Sequence, residues 1–235
     1  MHVPFLDPSR SGLGTGRGGT VQSTPVKLHS GARFMKRKAV VTILLVAAST
    51  LGVQSSAQAQ VAWDGPMLAP PEAPTGWGLY LTDPAPGSGI GALGTWRGAD
   101  RMGLRAGVAE GRRGDAAFFG GVDVMGGVVR HSADFPLDVD WLVGAGVSVG
   151  ERGLVSFPLG LTLGRALDAN GATFLPYVTP RLVVDGWFGG DGGPSGMELE
   201  LAFDLGLDLA FRPGWAVSFG ATFGDRSALA IGLRF

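Results

Sequence analysis

The sequence contains no cysteine, which excludes a disulfide-stapled scaffold and any chemistry that depends on a thiolate. Lysine is nearly absent: the chain has only Lys27, Lys36 and Lys38, all within its first quarter. Residues 60–235 contain one histidine, His131, which argues against a transition-metal site because such sites use several imidazole or thiolate ligands. No apolar run reaches the about 20 residues that a permanent membrane-spanning helix requires.

Residues 35–59 have the three parts of a secretory signal peptide. A basic cluster, MKRK, is followed by the apolar stretch AVVTILLVAASTLGV and then by small residues, Ala57 and Ala59, at the cleavage position. This order predicts export, with cleavage after Ala59. Because a signal peptide begins at the start codon, we expect residues 1–34, which are polar and Gly-rich, to be a disordered extension introduced upstream of the true start.

The exported part, residues 60–235, is acidic, with twelve arginines against nineteen Asp and Glu residues. This balance argues against nucleic acid as a partner, because nucleic-acid-binding domains present basic surfaces. Water-soluble β proteins use lysine to protect strand edges and to stay in solution. A lysine-free, Gly-rich exported chain therefore fits a membrane better than water.

Residues 197–211, MELELAFDLGLDLAF, alternate without a break between large apolar residues and small or acidic ones. Successive side chains of a strand point to opposite faces, so the pattern predicts a strand with one apolar face. Globular strands typically have about 5–6 residues, whereas a tilted strand needs roughly 9–11 to cross a bilayer. The length of this segment is therefore typical of a membrane strand.

The same alternation recurs to the C-terminus in ten segments separated by turn residues. The segments are 76–81, 89–96, 102–109, 116–129, 138–150, 154–164, 173–187, 197–211, 215–224 and 227–235. Short connections without helical periodicity predict an all-β, antiparallel up-and-down meander. The alternation is weakest in the first two segments, so a barrel of eight strands starting near residue 102 is the alternative. Both counts are even, as is usual for a membrane barrel. Residues 60–75, QVAWDGPMLAPPEAPT, are Pro-rich and indicate a linker or N-terminal tail.

The polar face of these strands favours a transmembrane β-barrel over a water-soluble one. It consists of Gly, Ala, Ser and Thr with scattered charges, whereas a water-facing surface would be dense in Lys, Glu and Arg. Small or paired side chains suit a narrow lumen, and the bulky Leu, Val, Phe and Ile face suits lipid. Five tryptophans lie at or near predicted strand ends, where aromatic residues gather at the membrane–water interface: Trp77, Trp96, Trp141, Trp187 and Trp215.

The last segment, SALAIGLRF, places Leu229, Ile231 and Leu233 on one face and ends in Phe235. With the signal peptide and the meander over 76–235, it resembles the outer-membrane β-barrel proteins of Gram-negative bacteria, in particular the small outer membrane protein β-barrel domain family. The resemblance implies a location in the bacterial outer membrane and contact with its lipid. It also implies that the four named residues form the C-terminal signal that the barrel-assembly machinery reads, but it implies no agreed activity.

Strand alternation assigns ten charged residues to the lumen. They are Arg105, Asp123, Asp140, Arg181, Asp185, Glu198, Glu200, Asp204, Asp208 and Arg234. An unpaired charge in a narrow lumen is unfavourable, so we expect these residues to pair and to stiffen a mainly structural, at most weakly permeable barrel. A narrow, cation-favouring porin-like channel is the first alternative. A soluble exported barrel that binds a ligand is the second.

The sequence predicts no enzyme, cofactor or metal site. His131, Ser132 and Asp134 fall within one predicted turn, whereas a catalytic triad draws its members from separate elements. Acidic residues two positions apart on a strand are also what a polar lumen stripe contains, so they do not indicate a calcium site.

Overall fold

A computed structural model describes residues 61–84, 89–110, 115–150, 152–169, 171–189 and 196–235. The chain divides into two units, 1–48 and 49–235, and every described residue belongs to the second. The expected upstream extension and the signal peptide, with its cleavage residues Ala57 and Ala59, lie outside the described residues. Within the described ranges, no helix is long and apolar enough to cross a membrane.

The described residues form eleven strands, one after another along the chain. They are β1 (Gly76–Asp83), β2 (Gly91–Arg97), β3 (Met102–Glu110), β4 (Ala116–Val129), β5 (Asp138–Val149), β6 (Gly153–Gly164), β7 (Leu167–Ala169), β8 (Ala172–Phe188), β9 (Met197–Arg212), β10 (Trp215–Gly224) and β11 (Ala228–Arg234). Ten of them have the bounds that the alternation predicts, within two residues. The short β7 is an addition: it lies in a predicted turn and pairs with β8.

The ten long strands close into an antiparallel barrel. Each pairs with its neighbours in sequence, β6 pairs with β8, and β1 pairs with β11. At the closure, the backbones of Trp77 and Phe235 exchange two hydrogen bonds, of 2.7 and 2.8 Å. The prediction of an all-β, ten-stranded up-and-down barrel is confirmed, and the eight-strand alternative is wrong. A closed barrel satisfies the backbone groups of its strands without water.

The two faces of the barrel differ as the alternation predicts. On β9, Leu199 and Leu201 point outward and are 64% and 44% exposed, whereas Ala202, Asp204 and Asp208 point inward and are buried. The other strands repeat this arrangement, so the apolar surface lies outside and the polar side chains lie inside. This is the reverse of the distribution in a water-soluble barrel.

The barrel has two ends, which we call the terminal end and the opposite end. The terminal end is where β1 begins and β11 stops; the opposite end carries the β1–β2, β5–β6 and β10–β11 connections. Four of the five tryptophans predicted to line an interface lie toward the terminal end, and Trp187 lies toward the opposite end. Trp77, Trp141 and Trp215 are exposed, and Trp96 and Trp187 are half-buried. Their interfacial role stays a prediction.

Candidate functional site in the lumen

Residues 61–71, which belong to the Pro-rich segment 60–75, lie inside the barrel and are all buried. The carbonyl of Val61 accepts a hydrogen bond from the hydroxyl of Ser148, near the opposite end of β5. The carbonyl of Ala69 accepts one of 2.9 Å from Thr162, near the terminal end of β6. This segment, called the plug from here on, therefore runs along the lumen from one end to the other.

The wall holds the backbone of the plug chiefly through Arg105. Its guanidinium, in a residue only 5% exposed, donates hydrogen bonds to the carbonyls of Trp63 (3.4 Å), Pro66 (3.0 Å) and Met67. It also lies 5.7 Å from the centre of the Trp63 ring, within the range of a cation–π contact. Arg105 thus takes its hydrogen-bond acceptors from the plug.

Glycines on the wall make room for the side chains of the plug. A Cβ atom at Gly121 or at Gly146 would lie 2.4 Å from the ring of Trp63. A Cβ at Gly220 would lie 2.5 Å from a methyl group of Leu68. A glycine in a strand often marks such a close approach, and here it gives the plug a fitted seat.

Apolar side chains of the plug complete two small clusters inside the barrel. Trp63 and Leu68 join one that includes Tyr80 and Phe119. Met67 joins a second with Leu142. The hydrophobic core of this protein is therefore the lumen itself, and the plug supplies part of it.

Asp64 is the centre of the charge network. Its carboxylate pairs with Arg181 Nη1 and, at 2.5 Å, with Arg226 Nη1. Arg181 in turn holds Asp204 through two hydrogen bonds, Nε to Oδ2 at 2.7 Å and Nη2 to Oδ1 at 3.2 Å. The planar guanidinium fork matches a carboxylate in this bidentate geometry, and the side chains of Asp64 and Arg181 are completely shielded from solvent.

Arg226 extends the network to the opposite end of the barrel, from the turn between β10 and β11. It pairs with Asp185 and, at 2.7 Å, with Glu200. Burial alone would lower the pKa of the Arg226 guanidinium, but the carboxylates, above all Asp64 and Asp185, outweigh burial and raise that pKa. Arg226 is therefore a fixed positive charge at this mouth.

A second group of charges holds the chain where it leaves the plug at the terminal end. Asp140 on β5 accepts hydrogen bonds from the guanidinium of Arg130 (2.7 Å) and from the backbone N–H of Glu72 (2.9 Å). The side chains of Arg130 and Glu72 pair at 3.0 Å, and Arg101 lies 3.6 Å from Asp140. We call these four residues the latch.

The structure buries eight of the ten charged residues that the alternation assigns to the lumen. They are Arg105, Asp123, Asp140, Arg181, Asp185, Glu200, Asp204 and Asp208. Arg234 is half-buried and lies 2.9 Å from Asp208. Glu198 is different: it is exposed near the start of β9, at the opposite end.

Sequence reasoning missed six charged members of these networks: Asp64, Glu72, Arg97, Arg101, Arg130 and Arg226. Arg97, the last residue of β2, pairs with Asp123 at 2.5 Å. The other five lie in the tail and in connections, where no alternation marks a side chain as inward. The small residues at inward positions of β5, such as Gly144 and Gly146, were the one available signal that something fills the lumen.

Within the described residues, no group of three or more His, Asp and Glu side chains is arranged to hold a metal ion. His131 Nδ1 pairs with Asp138 at 2.9 Å, and the Ser132 hydroxyl accepts a hydrogen bond of 3.2 Å from the N–H of Phe135. These contacts fold the connection between β4 and β5.

No family model matches the sequence, and no curated protein matches it. A comparison with solved structures finds similarity to Ail, the attachment invasion locus protein of Yersinia pestis, in a crystal structure with the heparin analogue sucrose octasulfate. The TM-score is 0.24 and the identity 10%, over 68% of this chain and 92% of that chain. Similarity at this level carries no argument about ligand or activity.

Proposed function

We propose that this protein is an integral β-barrel of the bacterial outer membrane, sealed by its own N-terminal segment and mainly structural in role. The observation that carries the proposal is the apolar outer surface of a closed barrel that keeps its charges inside. Large side chains in the middle of outward faces, such as Leu159 (57% exposed) and Leu201 (44%), are not buried by any of the residues that the structure describes. Lipid is the partner that fits such a surface.

Two observations support a sealed lumen. The plug occupies its length, and the buried Arg and Asp side chains around Asp64 pair with one another. A cation-favouring channel has less support, because the carboxylates that would attract cations already hold arginines. The alternative of a soluble ligand-binding barrel also has less support, since such a barrel places its apolar face inward.

The C-terminal residues fit the proposed biogenesis. Leu229, Ile231 and Leu233 all point outward on β11, and Phe235 follows the strand with 41% of its surface exposed. An accessible apolar face on the last strand is what an assembly machinery could bind before the barrel closes against β1. We therefore retain these residues as the proposed assembly signal.

A charge placed on the outer surface tests the membrane proposal. In a membrane barrel, lysine at the bilayer midplane costs about 2–4 kcal/mol, and near the interface about 0–1 kcal/mol. Leu159 lies in the middle of β6, and Val149 is the last residue of β5, with 52% of its surface exposed. We expect Leu159→Lys to reduce insertion into lipid vesicles strongly, with Val149→Lys as the matched control that inserts normally.

The readout is the heat-modifiable mobility of the protein after refolding into vesicles. A water-soluble barrel would tolerate both lysines equally and would remain in aqueous buffer without detergent. The proposal is contradicted if the two variants insert equally and the protein without substitutions remains in the aqueous phase.

A further inference from the structure

We propose that the plug is a displaceable gate, and that the barrel conducts small inorganic ions when the plug leaves the lumen. The proposal rests on the proposed function, because it requires a barrel in a membrane. The gate adds an activity to the proposed structural role, because the sealed barrel is then the closed state of an ion conduit.

The barrel does not need the plug to close. Every strand pairing of the sheet joins residues between Gly76 and Arg234, and the plug contributes no strand. Its backbone carbonyls instead accept hydrogen bonds from wall side chains. Water can replace such acceptors, whereas it could not replace a missing strand inside lipid.

The wall beside the plug carries hydroxyl groups that are suited to water. Ser148, Ser156, Thr162, Thr179 and Thr222 are all buried, with at most 1% of each residue exposed. Two of them contact the plug directly, through hydrogen bonds to its carbonyls. A wall of this kind can be hydrated when the plug leaves, because Ser148 and Thr162 can donate to water in place of the plug carbonyls, while Thr179 and Thr222 keep their partners on the wall.

The charges of the wall also stay paired without the plug. If Asp64 is removed, Arg181 keeps Asp204, and Arg226 keeps Asp185 and Glu200. Arg105 is the exception, since the acceptors it contacts are carbonyls of the plug. Plug displacement therefore leaves a charge-paired wall with one guanidinium free to meet water and ions.

Because the chain has no cysteine, an engineered disulfide can tie the plug to the wall without competing native thiols. We call this disulfide the lock. A Cβ atom at Gly65 would lie 3.0 Å from the Cβ of Ala228, the first residue of β11. Disulfides join Cβ atoms about 3.5–4.5 Å apart, so a small adjustment allows a bond between Gly65→Cys and Ala228→Cys. The lock ties the plug to the wall at the opposite end and is released by a reductant.

The experiment records currents of the full-length protein in planar lipid bilayers, with Asp64→Ala to weaken the plug. Loss of a hydrogen-bonded ion pair should raise the open fraction about tenfold or more over the unaltered protein. Adding the Gly65→Cys and Ala228→Cys pair should abolish this current when oxidised and restore it when reduced. Each single-cysteine variant is the control and should not respond to oxidation.

Two results would overturn the gate. One is an Asp64→Ala protein whose heat-modifiable mobility shows that it has inserted but which carries no current when the lock is reduced. The other is a current that the oxidised lock does not change, which places the ion path elsewhere. Failure of the unaltered chain to insert would instead overturn the proposed function, so the two failures are distinguishable.

A second measurement covers the case in which Asp64→Ala does not fold. Gly65 is buried in the plug, so the thiol of the single Gly65→Cys variant is shielded while the gate is closed. Its reaction with a small water-soluble thiol reagent in the folded barrel supports displacement. Complete protection there, with rapid reaction in the denatured chain, contradicts it.

Discussion

The indole ring of Trp63 occupies the space that a side chain at Gly121 would need. The three atoms nearest to a Cβ built at Gly121 all belong to that ring, the closest at 2.4 Å. Trp63 is fully buried, and its Nε1–H donates to the carbonyl of Ser156 on β6, two strands from Gly121 in the sheet. The wall of this barrel is therefore shaped around a particular residue of the plug.

We predict that Gly121→Ala destabilises the barrel by about 1–3 kcal/mol, because a rigid ring must move to admit the methyl group. The measurement is thermal unfolding in detergent, followed by heat-modifiable mobility. Gly94→Ala is the control, since its Cβ would have no neighbour closer than 3.7 Å. Trp63→Ala combined with Gly121→Ala should be less destabilising than the sum of the single changes. Additive effects would mean that the two residues do not meet.

We predict that Arg181→Ala has the largest effect of any single charge removal in the lumen. It leaves Asp64 and Asp204 without the guanidinium between them, and breaking a buried ion pair costs about 3–5 kcal/mol. Arg212→Ala, at an exposed arginine that ends β9, is the control and should change stability by less than about 0.5 kcal/mol. Similar unfolding temperatures for the two variants would show that the network contributes little to stability.

The strands were predictable from the sequence because each has one lipid-sized face and one small or polar face. On β9 the alternation continues from Met197 to Phe211, and the structure has a strand over that stretch. Alternation also identified the inward side of charged residues such as Arg181 and Asp204. The period of two follows from the local geometry of a strand, so it can be recognised in a single sequence without knowledge of the fold.

The partners of those inward charges were not predictable. Asp64 lies in a stretch rich in Pro, and Arg226 in a turn, so neither has a periodic neighbourhood that fixes the direction of its side chain. The seat of the plug depends on which wall positions face each other across the lumen. That depends on the register and closure of the sheet, which the sequence pattern does not contain.

The latch permits a prediction that separates a buried charge from an exposed one. Asp140 is 1% exposed and accepts from the Glu72 backbone and from Arg130, whereas the Glu72 side chain is 56% exposed. Exposed ion pairs contribute about 0–1 kcal/mol, so Glu72→Gln should change the unfolding temperature little. Asp140→Ala leaves the Glu72 N–H without its acceptor and Arg130 with only the exposed Glu72 carboxylate, so it should lower the unfolding temperature clearly. Equal effects of the two changes would contradict the role given to Asp140.

The last prediction separates two roles of Phe235. Its ring stacks on Trp215, with centroids 5.1 Å apart, and such a pair contributes about 0.5–1.5 kcal/mol beyond the area that it buries. Phe235→Ala and Trp215→Ala both remove this contact, so we expect both refolded proteins to lose similar stability. If Phe235 is also read during assembly, Phe235→Ala alone should lower the amount of folded barrel in the outer membrane of cells. The measurement is the heat-modifiable fraction in isolated outer membranes, compared with the unfolding temperature of each refolded protein. Equal amounts of the two variants in cells would reduce Phe235 to a packing residue at the closure of β1 and β11.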